Sequence, residues 1–248
     1  MKNINTILAV GTVAAVCGAA SGGLTALYSQ NFNGMATSAT AALPTDWRFF
    51  NGATPTWGGV TTSAVTQNAG TSGTGVVNGT SSGGNYLWVD GVLATGTDKA
   101  IGFLTSSSQA APRSIMFAYT NNTGYDLSSF TASWDYEKYR SGTRAFNWTF
   151  FASTDGTNWS ALSDGDQSYS ADANNTTVSN PASSISKSAT FSASVANGTT
   201  LYLRWTYTGV GGSTNAQGLG IDNFSLVPAP GAMALLGVAG LLGTRRRR

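Results

Sequence analysis

The side chains that could do chemistry in this sequence are mainly carboxylates, because its 248 residues include no histidine. The lack of histidine excludes Ser-His-Asp and Cys-His nucleophile systems and histidine-ligated zinc. Asp135 and Glu137 would lie on one face of a strand about 7 Å apart, whereas a retaining glycosidase needs two carboxyl groups about 5 Å apart in a cleft. No other feature marks these two residues, so we predict that the chain is not an enzyme.

The remaining charged side chains of interest are predicted to be structural. Glu137 and Arg140 are expected to form an ion pair at a strand end, with binding of an anion or a sugar carboxylate as the alternative. Arg204 and Asp222 are expected to form a second ion pair from neighbouring strands, with Arg204 on the wetter strand face. Asp222 could also bind Ca²⁺ together with loop carbonyl oxygens, although no run of alternating acidic ligands accompanies it. We predict no cofactor, and Ca²⁺ at Asp222 is the single metal alternative.

The seven tryptophans are the main indication of ligand binding, since flat aromatic rings suit sugar rings. Trp134, Trp148 and Trp205 fit the apolar faces of predicted strands and are assigned to the core. The tryptophans that lie near predicted turns are the candidates for a glycan platform, although packing is the favoured interpretation even for them: Trp47, Trp57, Trp88 and Trp159.

The segment 153–159 contains a turn signal rather than a sugar-binding motif. Asp155-Gly156 is typical of a hairpin turn, because both residues tolerate positive φ angles. An Asp box would need one more residue between Asp155 and Gly156, and the pattern occurs only once. We predict a hairpin here, with Trp159 packing after the turn.

The net charge of +2 arises from the two ends of the chain. Four of the 13 basic residues form the terminal run 245–248 and one is Lys2, which leaves 8 basic against 11 acidic residues. Nucleic-acid binding needs a basic face, so it is not expected.

The middle of the chain reads as strands, because apolar and polar residues alternate with period two in several segments. The clearest segments are 115–119, 130–137, 146–150 and 201–207, and Gly, Asn and Ser clusters separate them. Weaker strand candidates are 86–93, 100–105, 189–194 and 219–227, and the polar stretch 164–188 is predicted to be a long surface loop. We predict an all-β fold, a single antiparallel β-sandwich of the jelly-roll kind with about ten strands, over residues 27–226.

The first 20 residues have the three parts of a secretory signal peptide. Lys2 precedes an apolar run over residues 4–16, and small residues follow at 18–20. We predict that the export translocon recognises this segment and that cleavage follows Ala20, with cleavage after Ala26 as the alternative. Cys17, the only cysteine, lies inside it.

The C-terminal segment 227–248 reads as a membrane anchor. An apolar run at 232–243 would form a helix about 18 Å long, shorter than the bilayer hydrocarbon core of about 30 Å. The arginines that follow would stay in the cytoplasm by the positive-inside rule, which leaves the preceding domain outside. A plain single-pass anchor is one interpretation of this tail.

The order of a proline motif, a short apolar helix and an arginine cluster resembles the PEP-CTERM sorting signal of bacteria that make exopolysaccharide. The resemblance implies that an exosortase-like enzyme processes the tail and releases or transfers the protein to the exterior. Ala229 stands where that family usually has Glu. The sorting residues are Pro228, Ala229, Pro230, Gly231, Arg245, Arg246, Arg247 and Arg248.

The middle of the chain is similar to a β-sandwich domain found at the front of many secreted bacterial proteins. The resemblance implies a fold and an exported location but no ligand, and it implies no nuclease activity. The segments that carry it are 30–34, 98–102, 121–124, 136–140, 203–205 and 220–224.

These features together predict an exported, non-catalytic protein of the cell surface or extracellular matrix. The tail would anchor it transiently in the inner membrane before processing. A carbohydrate-binding module for exopolysaccharide or for an external glycan is the alternative.

Overall fold

A computed structural model describes residues 25–38, 40–68, 83–89, 96–106, 112–172, 178–210 and 216–229, and structural statements below refer to these residues. Within them the chain forms thirteen strands and one 3₁₀ turn at Ser163–Gly165. No helix in these ranges is long and apolar enough to cross a bilayer. The strands are β1 (Tyr28–Gln30), β2 (Trp47–Phe50), β3 (Gln67–Asn68), β4 (Gly84–Val89), β5 (Lys99–Leu104), β6 (Arg113–Thr120), β7 (Leu127–Arg140), β8 (Ala145–Ser153), β9 (Ser160–Ala161), β10 (Gln167–Tyr169), β11 (Val178–Val195), β12 (Thr200–Val210) and β13 (Gly218–Pro228).

The strands form two sheets. The seven-stranded sheet has the order β11-β7-β13-β5-β4-β3, and β1 also pairs with β13. The six-stranded sheet has the order β10-β8-β12-β6-β2, and β9 also pairs with β8. Every strand pair is antiparallel except β3 with β4. The prediction of an all-β, two-sheet antiparallel fold is confirmed, while the predicted signal peptide and C-terminal helix lie outside the described residues.

Aromatic side chains from both sheets fill the core. Trp205 of β12 stacks on Trp47 at 5.7 Å between ring centroids and meets the edges of Trp134 at 5.4 Å and Phe224 at 5.5 Å. The alternation predicted for the clearest strands places their apolar residues inward, and Trp134, Trp148 and Trp205 are all buried. This burial of aromatic surface supplies the main stabilisation of the sandwich.

The prediction of a long surface loop over 164–188 is wrong. Residues 167–169 form β10, and β11 begins at Val178 and pairs with β7 over its whole length apart from two register shifts. The sequence lacks a strand pattern here because β11 is an edge strand, and residues 183–186 are exposed on both faces. Polar residues on both faces are tolerated at a sheet edge and give no period-two signal.

The folded domain continues past the predicted end at residue 226. Val227 and Pro228 pair with Thr131 and Phe130 of β7, and the Ala229 NH donates to the Ser129 carbonyl oxygen at 3.0 Å. At the other end, the Leu27 NH donates to the Leu226 carbonyl oxygen at 2.8 Å. The N-terminal end of the sandwich therefore pairs with β13, the strand that forms its C-terminal end.

Candidate functional site

The predicted sorting motif begins inside the sheet. Pro228 is the last residue of β13, and both Pro228 and Ala229 are buried. The other sorting residues, Pro230, Gly231, Arg245, Arg246, Arg247 and Arg248, lie outside the described residues. The first two residues of the motif thus belong to the folded domain rather than to the tail.

Two of the four tryptophans predicted as glycan platforms are buried. Trp47 is 0% exposed, stacks on Trp205 and donates its indole NH to the Tyr28 hydroxyl at 3.0 Å. Trp88 is also 0% exposed, stacks between Tyr86 and Tyr139, and donates its indole NH to the Leu219 carbonyl oxygen. Neither ring offers a face to a ligand in this structure, because strands that begin or end at turns still direct alternate residues into packed layers.

Trp57 and Trp159, the other two candidates, are partly exposed, and each packs against an arginine of the six-stranded sheet. The Trp57 NH donates to the Gly156 carbonyl oxygen, and the Trp159 indole NH donates to the Pro55 carbonyl oxygen, both at 2.8 Å. The segment around residues 55–57 and the hairpin between β8 and β9 are therefore joined through these two tryptophans.

Each of these tryptophans covers an arginine. The Arg48 guanidinium carbon lies 4.3 Å from the centroid of the Trp57 ring. The Arg204 guanidinium carbon lies 3.8 Å from the Phe151 ring centroid and 4.8 Å from that of Trp159. Each arginine therefore makes a cation–π contact with one tryptophan ring. We call the four residues Arg48, Trp57, Trp159 and Arg204 the Trp–Arg layer.

Arg204 does not lie on a wet face. It points away from Leu203 and Trp205 as predicted, but Trp159 covers it and it is only 4% exposed. Burial lowers the pKa of Arg204 to about 10. Alternation along one strand shows which way a side chain points, whereas cover from a distant hairpin is not visible in it.

We expect Arg204→Ala to lower the free energy of unfolding by about 1–2 kcal/mol, because it removes two cation–π contacts and the packing of the side-chain stem. Thermal and urea denaturation measure the effect. Lys187→Ala, on the edge strand β11, is the control and should change stability by less than about 0.5 kcal/mol. An Arg204→Ala variant with unchanged melting temperature that lost affinity for a glycan would instead mean that Arg204 contacts the ligand directly and contributes nothing to stability.

The hairpin between β8 and β9 is confirmed, but its turn chemistry differs from the prediction. Gly156 has a φ of +69°, while Asp155 does not adopt a positive φ. The Asp155 carboxylate accepts hydrogen bonds from the NH groups of Asn158 at 2.7 Å and Thr157 at 2.8 Å. These bonds hold the pKa of Asp155 well below its usual range, and the bond from the Asn158 backbone NH makes the largest contribution. These bonds account for Asp155 as a turn residue.

A second group of polar residues lies on the outer face of the seven-stranded sheet. Asp222 of β13 pairs with Asp135 of β7, and Glu137 follows Asp135 by two residues and thus lies on the same face. Asp98 immediately precedes β5, the neighbour of β13 on its other side. The carboxylate oxygens of Asp98, Glu137 and Asp222 lie within 4.8 Å of one another, and we call these three residues the acidic cluster.

Asp222 is the member of the acidic cluster that is fully buried without a described hydrogen bond. It is 0% exposed, and neither carboxylate oxygen has a hydrogen-bond partner among the described residues. The pKa of Asp222 is raised to about 8, mainly by burial. Nearby carboxyl groups such as Glu137 raise this pKa further. The Asn223 backbone NH opposes this rise, but its geometry falls short of a hydrogen bond. A buried carboxylate in this condition is costly unless something pairs with it.

The other two carboxylates have partners that fix their positions. The Tyr139 hydroxyl donates to Glu137 Oε2, and Asn33 Nδ2 donates to Asp98 Oδ1 at 3.4 Å. Lys99, which follows Asp98, directs its ammonium group to the carbonyl oxygens of Asn33 at 3.0 Å and Met35 at 2.6 Å. The lysine beside the cluster is therefore bound to backbone oxygens.

The predicted pair of Arg204 with Asp222 is not brought together. Arg204 lies in the six-stranded sheet within the Trp–Arg layer, whereas Asp222 lies in the seven-stranded sheet within the acidic cluster. Glu137 and Arg140 are both buried in β7, and Arg140 Nη1 donates to the Ala216 carbonyl oxygen at 2.9 Å.

Asp98 is not among the site residues predicted from the sequence. Nothing in the sequence around Asp98 marks it as one, and only the strand order places it beside Asp222.

Residues around this cluster come from four of the sequence segments on which the expected resemblance to secreted bacterial β-sandwich domains is based. Asp98, Glu137 and Asp222 come from the segments 98–102, 136–140 and 220–224, and Asn33 comes from 30–34. The positions that looked unrelated along the chain are thus neighbours in space.

Comparison with protein-family models gives no match, and comparison with curated proteins gives none. Among solved structures, the chain is similar to the CBM22-1 and GH10 modules of an endo-1,4-beta-D-xylanase from Clostridium thermocellum, complexed with xylohexaose. The TM-score is 0.30 and the sequence identity is 12%. The match covers 54% of this chain and 22% of the xylanase chain, and a likeness this distant assigns neither a family nor a ligand.

Proposed function

We propose that this chain is an exported, non-catalytic protein of the cell surface or extracellular matrix, sorted through its C-terminal tail. The observation that carries the proposal is the junction at Pro228 and Ala229, where the last strand passes directly into the proline motif. β13 is the last strand among the described residues, and its pairing with β7 reaches Pro228. The apolar run and the arginines that follow in the sequence are then available for membrane insertion and processing.

Mass spectrometry of the mature protein from its native host tests this proposal. We expect an N-terminus at Ser21 or Leu27 and a C-terminus at Ala229 or later, with the arginine run removed. The matched control replaces Arg245 to Arg248 with serine, which should block sorting and leave the protein in the membrane fraction. An intact chain from Met1 to Arg248 recovered from the cytoplasm would contradict the proposal.

A glycan is the ligand class that the Trp–Arg layer favours. Its two indoles are partly exposed, each is held against an arginine, and hydrogen bonds to the facing segment fix both. A rigid aromatic face loses little conformational entropy when a sugar ring stacks on it. We propose carbohydrate binding at this layer as the second candidate function.

Binding to purified exopolysaccharide of the host tests the second candidate. We expect Trp57→Ala to weaken binding by about tenfold or more, which corresponds to a loss of about 1.4 kcal/mol. Tyr125→Ala is the control, because Tyr125 is 60% exposed and lies outside the layer. Equal binding by wild type and both variants, with all three folded, would exclude this layer as the glycan site.

A further inference from the structure

The acidic cluster combines a buried, unpartnered carboxylate with two fixed ones. Within the part of the chain that the structure describes, both oxygens of Asp222 lack a hydrogen-bond partner although the residue is 0% exposed. One oxygen each of Asp98 and Glu137 lies within 4.8 Å of an Asp222 oxygen. Removing the Asp222 carboxylate from water without a hydrogen-bond partner is strongly unfavourable. The observation therefore points to a cation at the centre of the three side chains.

The spacing of the oxygens limits the kind of cation. Two oxygens bound to one ion are separated by at most twice the metal–oxygen distance, which is about 5 Å for Ca²⁺ and about 4.2 Å for Mg²⁺. The cluster oxygens lie within 4.8 Å of one another, an upper bound that Ca²⁺ satisfies, whereas Mg²⁺ would need every oxygen pair to be closer than about 4.2 Å. Zinc prefers nitrogen and sulfur ligands, whereas carboxylate oxygens suit a hard cation such as Ca²⁺.

We propose that Asp98, Glu137 and Asp222 bind a Ca²⁺ ion that joins three neighbouring strands of the seven-stranded sheet. The ligands come from β7, from β13 and from the residue before β5, and Asn33 ties the segment after β1 to Asp98. Ca²⁺ takes six to eight oxygen ligands, so water or carbonyl oxygens complete the shell. Asp98 is half-buried and provides the route by which the ion enters.

The role of the ion would be structural. It would neutralise the carboxylates and hold the start of β5, next to Asp98, against β13 and β7. Extracellular modules bind Ca²⁺ with dissociation constants of about 0.1–1 mM, so an exported protein would acquire the ion outside the cell. The site does not depend on the proposed sorting or on the Trp–Arg layer, and its test is separate from theirs.

Thermal denaturation of the full-length protein in mild detergent tests the proposal. We expect the melting temperature to rise by about 5 °C between 1 mM EDTA and 5 mM CaCl₂, and by less in 5 mM MgCl₂. Asp222→Asn should abolish the Ca²⁺-dependent rise, while its melting temperature in EDTA should equal or exceed that of the wild type. Asp164→Asn, which changes an exposed carboxylate, should keep the full rise.

Elemental analysis of the wild type gives a second measurement that does not depend on a variant. In equilibrium dialysis against 1 mM CaCl₂, we expect an excess of about 0.5–0.9 Ca²⁺ per chain on the protein side, and Glu137→Gln should lose this excess. A wild type without bound Ca²⁺ and without a shift in melting temperature would overturn the proposal. An equal Ca²⁺ response in the wild type and in Asp222→Asn would also overturn it, because the ion would then bind elsewhere.

Discussion

Gly102→Ala is expected to lower the free energy of unfolding by about 3 kcal/mol, because the new Cβ has no space. A Cβ at Gly102 would lie 2.0 Å from the Leu219 carbonyl oxygen and 2.6 Å from the Gly220 Cα, both backbone atoms of β13. That Leu219 oxygen also accepts the Trp88 indole NH. The backbone can give way only if β5 separates from β13, and the melting temperature should fall by about 6–12 °C.

The matched control for this prediction is Gly58→Ala. A Cβ at Gly58 would meet no atom of the described residues within 4 Å, and the Gly58 backbone does not adopt a positive φ. We expect this substitution to change stability by no more than about 0.5 kcal/mol. Urea denaturation of both variants checks the pair, and similar stability losses at the two positions would refute the close approach of β5 to β13.

The parts of the fold that the sequence predicted are those in which local pattern and burial agree. Trp134, Trp148 and Trp205 lie in strands with one buried and one wetter face, so period-two alternation identifies both the strand and its inner side. The edge strand β11 has no such contrast over residues 183–186, and its strand character comes from hydrogen bonds to β7. Propensity and pattern hold no information about such a partner.

The candidate sites depend on strand order, which local pattern does not encode. Asp98, Glu137 and Asp222 become neighbours only because β13 lies between β7 and β5. Arg204 becomes buried only because the hairpin that carries Trp159 folds over its strand. Both arrangements bring together segments that are far apart in the sequence. The pattern of single segments therefore predicted Arg204 as the partner of Asp222, although the two residues lie in different sheets.

A chain that ends at Leu226 is expected to be less stable than the full-length chain by about 3 kcal/mol. It loses the pairing of Val227 and Pro228 with β7 and the hydrogen bond from the Ala229 NH to the Ser129 oxygen. Each lost hydrogen bond costs about 0.5–1.5 kcal/mol, and burial of Pro228 and Ala229 is lost as well. The melting temperature should fall by about 6–12 °C.

A chain that ends at Ala229 is the control for this truncation, and it should melt within about 2 °C of the full-length protein because every described contact of β13 is kept.

The difference between the two truncations also bears on where a processing enzyme can cut. Cleavage before Ala229 would require the end of β13 to leave the sheet, whereas cleavage after Ala229 would leave the pairing with β7 intact. We therefore expect the mature C-terminus to lie at or beyond Ala229. Equal melting temperatures for the two truncated chains would mean that the end of β13 contributes nothing to the fold, and cleavage at the proline motif would then be unrestricted.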